Sequence, residues 1–96
     1  MKYKIVYTDS YNRRAVKFLK KHPDLIGRYE KTLKLLEIDP LHPSLRLHAL
    51  TGKLKDLSAV SINISYHITL EMILVERTII PVNVGHHSEV YRSSGK

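Results

Sequence analysis

No cysteine occurs among the 96 residues. Disulfides and thiolate metal sites are thereby excluded, and a reducing compartment would suit the chain. Long apolar runs are also missing. The longest stretch free of Asp, Glu, Lys and Arg, Leu57 to Leu70, is too short and too rich in Ser, Asn and Thr to span a bilayer. The start, Met1-Lys2-Tyr3-Lys4-Ile5-Val6-Tyr7, alternates and has no extended apolar core, so we expect no signal peptide and a cytoplasmic location. Negative charge is sparse where positive charge is dense. Residues 1–56 carry 13 Lys or Arg against 6 Asp or Glu, and residues 57–96 carry 3 of each. The whole formal excess of +7 therefore belongs to the first part of the chain. A basic face of this kind attracts polyanions, whether nucleic acid, an acidic protein or a membrane surface, and its bland counterpart is a solvated helix face.

An apolar content of 43% is enough to fold, and this length predicts one small domain over 1–96 with one modest core. Tyr3, Ile5 and Tyr7 alternate with Lys2, Lys4 and Val6, which predicts an edge strand. Thr8-Asp9-Ser10 offers capping oxygens to a helix over about Ser10 to Lys21, with Tyr11, Ala15, Phe18 and Leu19 inward. Pro23 ends it. Asp24 is expected to cap a second helix, Leu25 to Ile38, with Ile26, Tyr29, Leu33 and Leu36 buried, and the short link implies an antiparallel helical hairpin. Residues 39–56 form a long connection of the kind that often carries function, pinned by Leu45, Leu47 and Leu50.

From Val60 to Met72 apolar and polar residues alternate, one set buried and the other wet. Thirteen residues are long for one strand, so a turn is expected near Ile64–Tyr66 although no Gly or Pro marks it. Glu76-Arg77 makes the next turn. The last strand, Thr78 to about Val84, contains Pro81, which ladder geometry does not explain. A short polar tail, Arg92 to Lys96, ends the chain. The expected fold is α+β, in the order β-α-α-β-β-β, with the helical hairpin on one face of a small, mainly antiparallel sheet.

Candidate chemistry collects in Gly85-His86-His87-Ser88-Glu89-Val90-Tyr91, where two imidazoles follow a glycine and a tyrosine stands four residues beyond the second. Histidine changes charge near neutral pH and can give or take a proton. A metal pair at His86-His87 is disfavoured, because adjacent strand side chains point apart. His22 and His42 adjoin prolines and read as ordinary surface residues.

Two segments carry a resemblance. Leu45-Arg46-Leu47-His48-Ala49-Leu50-Thr51-Gly52-Lys53-Leu54 is similar to the "HxLxG" connection of the RelE/ParE toxin superfamily, in its RelE/YafQ-like branch. Ile79-Ile80-Pro81-Val82-Asn83-Val84-Gly85-His86-His87-Ser88-Glu89-Val90-Tyr91 resembles that branch's terminal "iGxHxEvY/F" signature. The resemblance covers nearly the whole chain. It implies a toxin of a type II toxin–antitoxin system: a metal-independent mRNA endoribonuclease, often ribosome-associated, that needs no cofactor. It also implies an antitoxin as silencing partner and operator DNA reached only through the antitoxin complex, with no membrane role. Such enzymes use the RNA's own 2′-hydroxyl as nucleophile, with a base, an acid and cations around the phosphate. The resemblance implies His87 as acid and His48 as base, with the roles exchangeable. It places Tyr91 against a base or the scissile phosphate and leaves Arg46, Lys53 and Lys55 to hold phosphates.

The chain departs from the pattern at three positions. His67 stands where relatives usually carry an arginine directed at the scissile phosphate, and histidine lacks that permanent bidentate charge. His86 stands where Ser or Thr is common, and Ser88 where Asp is common. Two alternatives follow: a ParE-like inhibitor of DNA gyrase, which shares the fold, and a catalytically weakened toxin that still binds antitoxin and operator DNA.

Overall fold

The chain runs β1 (Lys4–Ile5), α1 (Asp9–Lys21), α2 (Ile26–Ile38), β2 (His48–Ala49), β3 (Ser58–Ser61), β4 (Tyr66–Ile73), β5 (Thr78–His86) and α3 (His87–Arg92). The structure, a computed structural model, describes residues 2–92 and of Arg92 only the backbone. Most of the polar tail expected at Arg92 to Lys96 thus lies outside the described residues. The strands form one sheet in the order β1-β5-β4-β3-β2. β1 runs parallel to β5, and the remaining pairings are antiparallel. The α+β hairpin-on-sheet architecture is the expected one. Two elements add to it: the short strand β2 inside the long connection, and α3 directly after β5.

α1 forms where its cap and stripe require it. Thr8 Oγ1 accepts from the Tyr11 backbone N–H at 3.1 Å, which satisfies one of the open donors of the first turn. Lys20 and Lys21 occupy the last turn, where the helix dipole favours positive charge. Tyr11, Ala15 and Phe18 are buried as the spacing predicts.

The second helix departs from its expected phase. Pro23–Leu25 folds as a separate 3-10 turn, and α2 starts after Leu25 without a side-chain cap, so Asp24 does not cap it. Leu25, Tyr29, Thr32 and Leu36 take the buried stripe, while Ile26 is 40% exposed and Leu33 half-buried. Thr32 tolerates its burial because its hydroxyl donates to the Arg28 carbonyl at 2.8 Å. A 2.7 Å hydrogen bond between the buried Tyr11 and Tyr29 hydroxyls ties the two helices inside the core.

The turn between β3 and β4 needs neither Gly nor Pro. Asn63 Oδ1 accepts from the backbone N–H of both Ser65 and Tyr66 at 2.9 Å each, so the side chain shapes the reversal. Pro81 also finds its place. The β4–β5 ladder shifts register between Thr69 and Leu70, with Pro81 opposite Leu70 and Asn83 opposite Thr69, and β1 has already stopped pairing at Ile79. A residue without an N–H suits such a bulge.

Register assigns the faces. Val60, Ile68 and Val84 are cross-strand partners on the face that joins the helical core. By alternation, Tyr66 and its partner His86 lie on that hairpin face, and His67 and its partner Gly85 lie on the opposite one. The opposite face is not simply wet, as the sequence suggests. Thr69 on β4 is 1% and Ala59 on β3 0% exposed, and α3 packs back across β4 and β5 on this side.

Leu36, fully buried between α2 and the sheet, tests this packing. Leu36→Ala should lower unfolding free energy by about 2–5 kcal/mol in urea titration. A loss below about 1 kcal/mol would contradict the burial of this stripe.

Candidate functional site

α3 is only six residues long, so tertiary contacts rather than propensity must hold it. Three contacts do so. Val90 is 2% exposed against the sheet. The His87 backbone N–H donates to the Ser65 carbonyl at 2.9 Å. His86 Nδ1 accepts from the Ser88 backbone N–H at 3.2 Å and lies 2.9 Å from the Ser88 hydroxyl. His86 thus acts as an imidazole cap on the helix start, a role that sequence reasoning did not assign. His42 does the same for the 3-10 turn at Pro43–Leu45, accepting from the Ser44 N–H at 3.2 Å.

With α3 anchored, one helical turn puts His87 and Tyr91 on the same side, their rings 6.4 Å apart. Gly85 lies beneath. A Cβ there would meet Glu89 Oε1 at 3.4 Å and Val90 Cγ1 at 3.5 Å, ordinary contact distances that show how closely the helix rests on the strand.

Tyr91 brings distant histidines together. Its hydroxyl is 2.8 Å from His67 Nδ1 and 3.3 Å from His48 Nε2. The His67 and His87 rings lie 5.9 Å apart. His48 and His87 are both exposed, and His67 and Tyr91 are half-buried. The two imidazoles expected to act together, 48 and 87, therefore gather around one phenol on an open surface. His48 stands on the edge strand β2 rather than in an irregular loop.

The hydrogen bonds fix much of the protonation pattern. His48 Nδ1 lies 2.9 Å from the Arg46 carbonyl oxygen, which can only accept. Nδ1 therefore carries a hydrogen, which leaves Nε2 as the open nitrogen of the ring. Arg46 sits in the left-handed region, with φ 51° and ψ 44°, and this bend aims its carbonyl at the ring two residues on.

The Tyr91 hydroxyl has one hydrogen for two nitrogens. When His48 is neutral, the phenol can donate to His48 Nε2, and His67 Nδ1 must then donate to the phenol oxygen. When His48 is protonated, its Nε2–H donates to the phenol, which donates on to a bare His67 Nδ1. Burial raises the Tyr91 pKa, so the phenol remains a neutral hydroxyl. His67 is shifted the other way, below its ordinary value, first by burial and then by the like charges of His87, His48 and His86.

The expected phosphate ligands divide. Arg46 lines a groove of about 330 Å³ together with Arg28 and Lys31. Lys53 lies in the 3-10 turn Gly52–Leu54 and Lys55 just after it, both exposed, beyond β2. Sequence reasoning missed Arg28 and Lys31, which reach the groove from α2 and carry no motif. Among the described residues, no three His, Cys, Asp or Glu side chains are arranged to hold a metal ion.

No family model and no curated protein matches the sequence. Solved structures do match. YafQ from E. coli strain BL21(DE3) is 14% identical at a TM-score of 0.75, over 93% of this chain and 98% of that one. The E. coli DinJ–YafQ toxin–antitoxin complex is 16% identical at a TM-score of 0.74, over 95% and 99%. A copper-bound mutant toxin from Helicobacter pylori is 27% identical at a TM-score of 0.68, over 94% and 99%. The chain therefore shares the fold of these toxins.

The depressed imidazole gives a direct test. In an NMR pH titration His67 should have its midpoint below 6.5. His87→Gln, which removes a neighbouring charge, should move that midpoint upward. The folded chain binds this proton more weakly than the unfolded chain, so His67 contributes stability above about pH 6.5 that is lost as the pH falls further. A midpoint at or above 6.5 would contradict this environment.

Proposed function

We propose that the chain is the toxin of a type II toxin–antitoxin pair and cuts mRNA without a metal. The observation that carries this reading is the Tyr91 hydroxyl, set between His67 Nδ1 at 2.8 Å and His48 Nε2 at 3.3 Å on an open surface next to His87. His48 Nε2 takes the proton of a ribose 2′-hydroxyl, whose oxygen attacks the adjacent phosphorus. The phosphorus–5′-oxygen bond breaks, His87 protonates the leaving 5′-oxygen, and a 2′,3′-cyclic phosphate remains. The roles of His48 and His87 are exchangeable on this geometry. Tyr91 orients both partners of its hydrogen bonds. Arg46, Lys53 and Lys55 are assigned to flanking phosphates, with Arg28 and Lys31 beside Arg46. Association with the ribosome, silencing by an antitoxin, and operator DNA contact through the antitoxin complex complete the reading. The DinJ–YafQ pair among the structural relatives supports the antitoxin.

His67 decides between an active and a weakened enzyme. Each positioned proton transfer is worth about 10²–10⁴-fold, whereas one missing electrostatic contact costs about 10²–10³-fold. A neutral His67 in place of a permanent cation therefore slows cleavage without abolishing it. Its lowered pKa favours this weakened version of the nuclease at neutral pH.

His87→Ala should abolish RNA cleavage while leaving the folded chain intact by circular dichroism; undiminished cutting removes the assignment. His67→Arg should speed cleavage at pH 7.5 by up to about 10²-fold. The wild-type optimum should lie on the acid side of that variant's, because only the wild type must gain a proton at residue 67. In cells, induction should create new mRNA 5′ ends. Altered plasmid supercoiling without such ends would instead indicate a gyrase-directed toxin, and neither change would indicate a protein that only binds its antitoxin.

A further inference from the structure

The rings do not stop at the proposed catalytic group. From His87 the row continues to His86 at 4.3 Å, from His86 to Tyr66 at 5.7 Å, and from Tyr66 to His22 at 4.7 Å. Phe18 backs the end of the row, 4.8 Å from His22 and 5.5 Å from Tyr66. The row thus turns the end of the sheet, from the α3 face to the hairpin face. There His22, Tyr66 and His86 line a groove of about 290 Å³ with Arg14, Lys17 and Lys21 of α1. Glu89 is the acidic residue in its lining. Arg14 is steadied by donating to the Val82 carbonyl at 3.4 Å. His86 uses Nδ1 for the helix cap, and its ring meets that of Tyr66 in a near-perpendicular contact of 87°.

A cationic groove floored by half-buried rings has the chemistry that single-stranded nucleic acid requires, with π-faces for bases and ammonium groups for the backbone. Three features select RNA over an acidic peptide. The rings are consecutive and lead directly to the proposed scissile position. Aromatic and imidazole rings, those of Phe18, His22, Tyr66 and His86, outnumber the one aliphatic side chain, Val84, in the groove's lining. The cations stand along one helix, at Arg14, Lys17 and Lys21. We propose that this groove is a subsite for the unpaired RNA nucleotide next to the scissile phosphate, its base held against Tyr66 and His22 and its backbone phosphates held by Lys17 and Lys21. This subsite rests on the nuclease reading above and deepens it.

The test uses the full chain and a fluorescein-labelled 2′-O-methyl RNA decamer, which cannot supply the attacking hydroxyl, with binding read by anisotropy. His22→Ala and, separately, Tyr66→Leu should each weaken binding about tenfold. Lys17→Ala/Lys21→Ala should flatten the slope of log affinity against log salt by about 1.4, since each phosphate contact on a single strand contributes about 0.7. Thermal melts identify any variant that loses its fold; the half-buried His22 and the two exposed lysines decide the matter if Tyr66→Leu unfolds. A 4-thiouridine in the decamer should crosslink to Tyr66 or His22. Unchanged affinity and salt slope in the His22 and lysine variants, or crosslinks confined to the groove of Arg28, Lys31 and Arg46, overturns the subsite. The nuclease reading still stands in that case if the wild type cuts natural RNA and His87→Ala does not. A groove that binds an acidic peptide in competition with an unaffected RNA likewise overturns it.

Discussion

The register of β4 against β5 is the constraint from which the site follows. With Tyr66 opposite His86 and His67 opposite Gly85, one imidazole of each strand end is sent to a different face of the sheet. A slip of one residue would exchange the faces and dissolve both the phenol-centred cluster and the ring-lined groove. The bulge at Pro81 and the Asn63-centred turn bracket this ladder. Features that look local, a proline without its N–H and an asparagine side chain folded onto two backbone donors, therefore hold the register that aligns groups far apart in sequence.

Much of the scaffold could be read from residues because its signals are periodic. Tyr11, Ala15 and Phe18 face the core as their spacing demands, and the alternation from Val60 onward divides the strands around the expected turn, except that Ile64, which alternation counts with the buried set, is 85% exposed in that turn. Where the structure departs from that pattern, a short-range feature outweighs periodicity. The 3-10 turn at Pro23–Leu25 moves Leu25 and Thr32 into the stripe and leaves Ile26 exposed. α3 is too short to show a repeat. The separation of His87 and Tyr91 by four residues, with Val90 between them, is the trace it leaves in the sequence.

The candidate site was legible residue by residue but not as a network. His48, His67, His87 and Tyr91 could each be singled out, yet the sharing of one phenolic hydrogen depends on distances between β2, β4 and α3. Arg46 reads in the sequence as a cation for phosphate. Its backbone proves equally informative, since the carbonyl fixes which nitrogen of His48 is open. His22 looks ordinary in the sequence because its neighbours Phe18, Tyr66 and His86 come from three separate elements.

The sheet's two outer strands are each two residues long. A visiting strand would gain only a couple of main-chain bonds by pairing with either of them, whereas, among the described residues, β5 beyond Ile79 has no strand beside it on the β1 side. Main-chain pairing by another chain would thus find its longer ladder along β5 and not along the two outermost strands.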